Sequence, residues 1–403
     1  MPDPHKILDV DKTISDDANP TLVWEAVVNA AVSARVSDIH CLAQKEGYEL
    51  AFRLDGELLR QGMIDFTLGR RVISHIKSVS GMDLGEHRRP TEGRLKETIA
   101  GKAIDLRISC VPSIHGLDMV VRLFDHTVSL LQIEELGMLD EQIDHIVDMV
   151  ERPNGLILVS GASGSGKTTT LYALLRAIRG KGRKIMTIED PVEYDLEQVN
   201  QTQVNARIDV TFASMLMAIL RQDPDVIMVG EIRDEETART AVRAANTGHL
   251  VLATIHATTA ARAVESMLGL GVQPYFFNVA LRCVVAQILV KRICPECRTE
   301  LPETGDMIVS DKLKRYLPEE TTPALAQGTG CSNCFGTGYH GRIGLFEVMI
   351  PDQRIRQLIM AQAPASQIEE ALETHLTIEQ VGKLRAMMGI TTMEELVDAI
   401  PSL

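Results

Sequence analysis

The stretch GLILVSGASGSGKTTTLY, residues 155–172, limits what this chain can fold into more than any other. A strand-like apolar run, Leu156 to Val159, empties into Gly161, Ala162, Ser163, Gly164, Ser165, Gly166, Lys167, Thr168 and Thr169, and then into a helix-forming segment. Glycine, four residues, glycine, lysine and a hydroxyl residue, placed between a strand and a helix, is the spacing of a P-loop. Glycines let backbone N–H groups turn inward around phosphates at a helix start, where the helix dipole also favours anions. Lys167 is expected to reach the β- and γ-phosphates of ATP, and the Thr168 hydroxyl to face Mg²⁺. Kinases, helicases, transporters and motors all carry this loop, so the use made of the ATP must be read from other residues.

Length and charge narrow the field. At about 150 residues per domain, 403 residues imply two or three domains. With 55 acidic against 41 basic side chains the net charge is −14, which speaks against a partner held mainly through phosphate charge; no nucleic acid is expected. No apolar run approaches 18 residues, and the opening MPDPHKILDVDK lacks the apolar centre of a secretory signal. A cytoplasmic chain is expected, its seven cysteines serving as thiols or metal ligands.

The patterning suggests an α/β chain in six parts: a polar amino-terminal tail (1–18), a small α/β domain (19–125), a linker (126–140), an ATPase core (141–290), a cysteine- and glycine-rich module (291–345) and carboxy-terminal helices (346–403). In the core, apolar runs alternate with helical patterns, which implies crossover units and a mostly parallel sheet with ligands at the carboxyl ends of its strands. Three of those ends carry chemistry. DPDVIMVGEIRD (223–234) is an apolar strand, Val226 to Val229, followed by Gly230 and then Glu231, an acid placed to order a magnesium-bound or attacking water. TIEDPVEY (187–194) offers Glu189, Asp190 and Glu193, displayed on a loop because Pro191 stops the strand. TGHLVLATIHATTA (247–260) is flanked by His249 and His256, and a neutral imidazole near the γ-phosphate can report whether that phosphate is present. Near the end, Thr392 and Glu395 have the spacing of a capping box.

Cys294-Pro-Glu-Cys297 and Cys331-Ser-Asn-Cys334 are two C-x2-C pairs with 33 residues between them. Two such knuckles complete a tetrahedral four-thiolate Zn²⁺ site with no open position, so the site is expected to be structural. Cys41, Cys110 and Cys283 are isolated and read as small core residues.

In this order the four core stretches resemble the ATPases of type II secretion and type IV pilus assembly. GASGSGKTTTLY is similar to their Walker A, TIEDPVEY to their aspartate box, LRQDPDVIMVGEIRD to their Walker B and TGHLVLATIH to their histidine box. The resemblance extends upstream through SDIH (37–40), RLDG (53–56), RRPTEGR (88–94), IDLRIS (104–109) and VVRLFD (120–125). It implies a RecA-like P-loop core, a smaller PAS-like amino-terminal α/β domain, a tetracysteine zinc insert of the assembly type and carboxy-terminal helices. It implies a homo-hexameric ATPase, peripheral at the cytoplasmic face of the inner membrane, working on a platform protein and a cytoplasmic adaptor and touching the membrane only through them. Glu231, Glu189, Glu193 and His256 become catalytic candidates, and Arg107 and Arg122 are expected to reach the γ-phosphate when the amino-terminal domain closes over the nucleotide. Met217 and Ile288 stand where the family usually has arginines, and Ala257-Thr258 where it has Thr-Asn, changes that bear on turnover and ring stability. The alternatives are a DNA-translocating or conjugative motor of related fold and a weakly active structural ring subunit. With 4% aromatic residues, the stacking surface that a nucleic-acid motor needs is not evident.

Overall fold

The computed structural model describes residues 6–10, 14, 15, 17–125, 131–301, 310–317, 324–372 and 375–400. The expected tail (1–18) and linker (126–140) therefore fall partly outside the described residues. The chain divides into two compact units: Met1–Ser129 with Ile293–Thr299 and Gln327–Gly341, and Leu130–Arg292 with Glu300–Ala326 and Arg342–Leu403. The stretch expected to form one zinc module is thus shared, with both cysteine pairs in the first unit. Among the described residues no helix is long and apolar enough to cross a membrane.

The first unit is built on β1 (Asp38–Ala43), β2 (Tyr48–Leu54), β3 (Glu57–Ile64), β4 (Thr91–Ile99), β5 (Lys102–Ser113) and β6 (Gly116–Asp125), in the order β3-β2-β1-β6-β5-β4. All five neighbouring pairs are antiparallel. Alternation along β5 buries Ile104, Leu106, Ile108 and Cys110 in a core shared with the helices Pro20–Ser33 and Phe66–Val79. The first helix starts with Pro20 after Asn19, whose side chain accepts the Thr21 N–H at 2.9 Å; the second is capped by Asp65 on the Thr67 N–H at 2.7 Å. Leu8 and Val10 lie in the stretch read as a polar tail, yet both are buried in this core. Gln61, itself fully buried, accepts the N–H groups of Ile7 and Leu8 at 2.8 and 2.9 Å. Two long-range amide bonds and two apolar side chains outweigh the polar residues around them.

The second sheet is built on β7 (Gly155–Ser160), β8 (Ile185–Glu189), β9 (Val199–Gln203), β10 (Val226–Val229), β11 (Leu250–Ile255), β12 (Leu281–Ile293) and β15 (Tyr339–Met349), all in the second unit save Ile293 and residues 339–341, in the order β15-β12-β7-β11-β10-β8-β9. Two short strands, β13 (Arg298–Glu300) and β14 (Ala326–Gly328), pair separately. Strands β12, β7, β11, β10, β8 and β9 run parallel. The central strands are buried on both faces, as a helix-covered parallel sheet requires. Leu156, Leu158, Ile227, Val229, Val251 and Ala253 face one core, and Ile157, Val159, Val226, Met228, Leu250 and Leu252 the other. Because β7, β8, β10 and β11 are parallel, the loops that follow them gather along one edge of the sheet.

The carboxy-terminal end is fastened to this sheet by polar contacts of long sequence separation. Glu347 on β15 is 3% exposed and accepts the Ala260 N–H at 2.8 Å and the Ile378 N–H at 3.4 Å, so one carboxylate serves the starts of the helices Ala260–Gly269 and Ile378–Met387. The expected capping box at Thr392 forms only in half. Thr392 accepts the Glu395 N–H at 3.1 Å, but the Glu395 carboxylate turns to the backbone N–H of Lys291 at 2.8 Å and its ammonium at 3.1 Å. A charged partner offers a stronger bond than the neutral N–H of the cap.

Candidate functional site

One cavity, of about 250 Å³, opens at the carboxyl ends of the central strands and brings together the four stretches. Ser163, Gly164, Lys167 and Thr168 line it from the P-loop, Glu189, Asp190 and Glu193 from the end of β8, Gly230, Glu231 and Arg233 from the end of β10, and Thr254 and His256 from the end of β11. The P-loop needs its glycines: Gly161, Gly164 and Gly166 take φ of +154, +78 and +87°, in the region that favours glycine. Gly166 precedes the helix Lys167–Ile178, so the first-turn N–H groups of that helix open toward the loop.

Within the cavity the charged groups hold one another. The Lys167 ammonium donates to the Gly161 and Ala162 carbonyls at 2.8 and 2.9 Å. Burial lowers its pKa, with Glu231 acting in the opposite direction. Glu231 pairs with Arg233 through one carboxylate oxygen, and the other lies 3.2 Å from His256 Nε2. The bond to Glu231 raises the pKa of the Arg233 guanidinium. Thr254 fixes the turn that presents Glu231, donating its hydroxyl to the Gly230 carbonyl while its own carbonyl accepts the Ile232 N–H at 2.9 Å.

Glu189 is held differently from the loop display expected of it. It is the last residue of β8 and only 3% exposed. One oxygen accepts the Tyr172 hydroxyl, and the other accepts Thr187 Oγ1 at 2.6 Å and Gln201 Nε2 at 3.0 Å. Burial, with Glu189 adding to it, pushes the Tyr172 phenol up and keeps it a donor. His249 does not line the cavity; its Nδ1 lies 3.0 Å from the Ala244 carbonyl at the end of the helix Glu235–Asn246. Sequence reasoning missed Arg233, Tyr172 and Thr254. Arg233 stood in the quoted Walker B stretch, where a cation two residues from a candidate base was a usable signal.

Arg107 and Arg122 lie in the first unit, directly opposite one another on β5 and β6. Arg122 Nε donates to Asp38 at 2.8 Å, and the Arg107 guanidinium lies 4.1 Å from the centre of the Phe124 ring. Register places Arg53, Asp38, Arg122, Arg107 and Arg94 in one line across β2, β1, β6, β5 and β4. Arg94 bonds the fully buried Asp105. Burial works to raise the Asp105 carboxyl, but the hydrogen bonds and charge of Arg94, aided by Arg107 and Lys96, hold it below the usual carboxylate range.

The four sulfurs of Cys294, Cys297, Cys331 and Cys334 lie within 4.8 Å of one another, with Cys294–Cys331 and Cys297–Cys334 at 3.8 Å and Cys331–Cys334 at 3.7 Å. A tetrahedron with Zn–S bonds of about 2.3 Å has edges of about 3.8 Å, which these three S–S distances match. The second knuckle folds back on itself: the Cys331 N–H points at Cys334 Sγ at 3.2 Å, and the Gly336 N–H closes the turn on the Cys331 carbonyl at 2.9 Å. The Gly341 N–H, just beyond it, donates to Asp55 at 2.8 Å, and Phe335 packs on the core of the first unit.

Residues 14–398 match the family described as Type II/IV secretion system protein. The chain is 39% identical over 398 residues to Type II secretion system protein E of Klebsiella pneumoniae, covering 98% of this chain and 78% of that relative. It is 39% identical over 388 residues to Type II secretion system ATPase E of Vibrio cholerae serotype O1, covering 95% and 75%. Among solved structures it is similar to the pilus retraction motor PilT with bound ADP, at TM-score 0.63 and 25% identity over 94% of this chain and 96% of that one. It shares the fold of the Legionella pneumophila ATPase DotB, at TM-score 0.71 and 17% identity over 97% and 98%. The chain therefore belongs to the type II/IV secretion system protein family, as one of its ATPases.

Proposed function

We propose that ATP hydrolysed in this pocket drives assembly of a type II secretion pseudopilus or a type IV pilus, the chain working as a homo-hexameric ring. The observation that carries the reading is the convergence of four separate stretches on one cavity in a chain of this family. When ATP enters, Lys167 leaves the carbonyls of Gly161 and Ala162 for the β- and γ-phosphates, and the N–H groups of residues 163–168 cradle them. Mg²⁺, when bound, would supply positive charge for the triphosphate, and the Thr168 hydroxyl is a group on this chain that would help hold it. Glu231 orders and accepts a proton from the water whose oxygen bonds the γ-phosphorus as the bond to the ADP oxygen breaks. His256, beside Glu231, reports whether the γ-phosphate is present. Glu193 supports the metal side of the site, and Glu189 braces the loop that carries it. Arg107 and Arg122 stabilise the charge of the transferring phosphoryl group.

The four cysteine sulfurs hold one Zn²⁺ in a structural role. The ring acts on an inner-membrane platform protein and its cytoplasmic adaptor, is peripheral to the membrane through them, and needs no nucleic acid. The reading is tested by complementation. A strain deleted for this chain should lose secretion or piliation, and wild-type chain, but not Lys167→Ala, should restore it. Restoration by Lys167→Ala, or an ATPase rate raised severalfold by DNA, would overturn it.

A further inference from the structure

Gln287 is a buried amide on β12, 1% exposed and distant in sequence from every motif of the pocket. One end of its side chain is spent on the phosphate loop and the other on the helix that follows it. Its Oε1 accepts the Thr170 hydroxyl at 2.7 Å, and its Nε2 donates to the Ser165 carbonyl at 2.7 Å. A carbonyl can only accept, so the Ser165 oxygen fixes which way the amide points. The backbone of residue 287 is as close as its side chain. A Cβ on Gly161 would lie 2.5 Å from the Gln287 carbonyl oxygen, and one on Gly166 would lie 3.3 Å from Gln287 Nε2. The parallel register of β12 with β7, Ala286 beside Ser160, delivers residue 287 to the point where β7 becomes the loop.

A loop with three glycines at positive φ has many other conformations open to it. In a planar trans peptide the C=O and the next N–H point in opposite directions. Tying the Ser165 carbonyl to Gln287 therefore turns the Gly166 N–H the opposite way, away from β12. Tying Thr170 to the same amide puts the first turn of the following helix in the same frame as the loop. We infer that Gln287 is a positioning residue of the nucleotide site: it preorganises the phosphate loop and so sets affinity for the diphosphate that ATP and ADP share. The inference rests on the pocket being the nucleotide site.

The test uses the full chain with Gln287→Leu, Gln287→Glu, Thr170→Val and, as a control on the pocket itself, Lys167→Ala. Affinity for ADP and ATP is measured by titration, and kcat and KM by phosphate release. Loop geometry serves ground state and transition state alike, so Gln287→Leu should weaken ADP binding at least ~tenfold and raise KM in proportion, with kcat kept within about threefold. Gln287→Glu keeps the acceptor for Thr170 but sets an anionic oxygen against the Ser165 carbonyl, and should do at least as much harm. Thr170→Val should cost about threefold, and added to Gln287→Leu should cost nothing more, since the bond is already gone. If Gln287→Leu does not fold, Gln287→Glu and Thr170→Val carry the same readouts. Unchanged ADP affinity in a folded Gln287 variant, or a fall in kcat at constant KM, overturns the inference. Normal ADP binding in Lys167→Ala would instead overturn the pocket assignment.

Discussion

The two acids at neighbouring strand ends, Glu189 and Glu231, differ in what their oxygens are doing. Glu189 gives one oxygen to Tyr172 and the other to Thr187 and Gln201, so it has little capacity left for a water. Glu231 is more open, with 14% of its side chain exposed, and its two partners, Arg233 and His256, both line the cavity. Glu231→Gln keeps the shape and removes the charge that takes the water's proton. It should leave ATP affinity within about threefold while turnover falls roughly 10²- to 10³-fold, the scale of a lost general base. Normal phosphate release by this variant would move the role to Glu193. Lys167→Ala acts at the other step. It removes the ammonium that burial has already cost solvation, and ATP binding should weaken by at least tenfold, ~1.4 kcal/mol, as read by titration with a fluorescent nucleotide.

At the scale of elements, two joints can be tested separately. The knuckles belong to the first unit while the pocket is lined by residues of the second, so the metal should matter for fold and not for nucleotide contact. Freshly purified, reduced chain should carry about one Zn²⁺, the stoichiometry of a single tetrahedral site. Cys331→Ser should lose it and unfold the knuckles, whose metal affinity is folding free energy; metal analysis showing no zinc in the wild-type chain would remove the assignment. Glu347 is the second joint. Burial raises its carboxyl pKa, against the N–H bonds from Ala260 and Ile378, and Glu369 adds to the rise. A raised folded-state pKa means that the stability from this group is present below the ordinary value of 4.5 and is lost as pH rises through the folded-state value. Glu347→Gln keeps an acceptor for the helix starts and carries no charge. Its melting temperature should therefore gain on the wild type as pH is raised from about 4 to about 8, and a constant difference across that range would show that Glu347 does not titrate with folding.

Local features were legible before any coordinates. The strand, glycine loop and helix of residues 155–178 lie in one continuous segment, and the apolar run Val226 to Val229 is β10 itself. What escaped was set by distant partners. The Gln287 brace spans 117 residues, and the Lys291–Glu395 contact that undoes the capping box spans 104. Periodicity within a window of 11 to 18 residues carries no information about such pairings. Leu8 and Val10 escaped for the same reason: a short apolar pair in a polar stretch becomes core only because Gln61 is there to take the backbone.

The proposed phosphoryl transfer calls for more positive charge than the pocket offers. Arg233 is the one guanidinium lining the cavity among the described residues, and it is engaged with Glu231. In-line phosphoryl transfer spreads negative charge over the equatorial oxygens, and in related P-loop enzymes an added arginine contributes about 10³ to 10⁵ in rate. The first unit carries four arginines in one line across its sheet, with Arg122 oriented by Asp38 and Arg107 stacked on Phe124. If Arg107 and Arg122 stabilise the transferring phosphoryl group as proposed, Arg107→Gln and Arg122→Gln should each hold ATP within about tenfold, ~1.4 kcal/mol, while turnover in the proposed ring falls at least ~10²-fold. Arg122→Gln takes the cation from the largely buried Asp38 and leaves it the Ser37 hydroxyl, so folding needs its own reading, and Trp24 gives one. It is the chain's single tryptophan, 3% exposed in the core of that unit, and its fluorescence should be unchanged in both variants. Assembly is followed by sedimentation at the same protein concentrations, because a ring-dependent site predicts a rate per chain that rises as rings form. A variant with intact Trp24 fluorescence and normal assembly that hydrolyses ATP at the wild-type rate would take its arginine out of phosphoryl transfer.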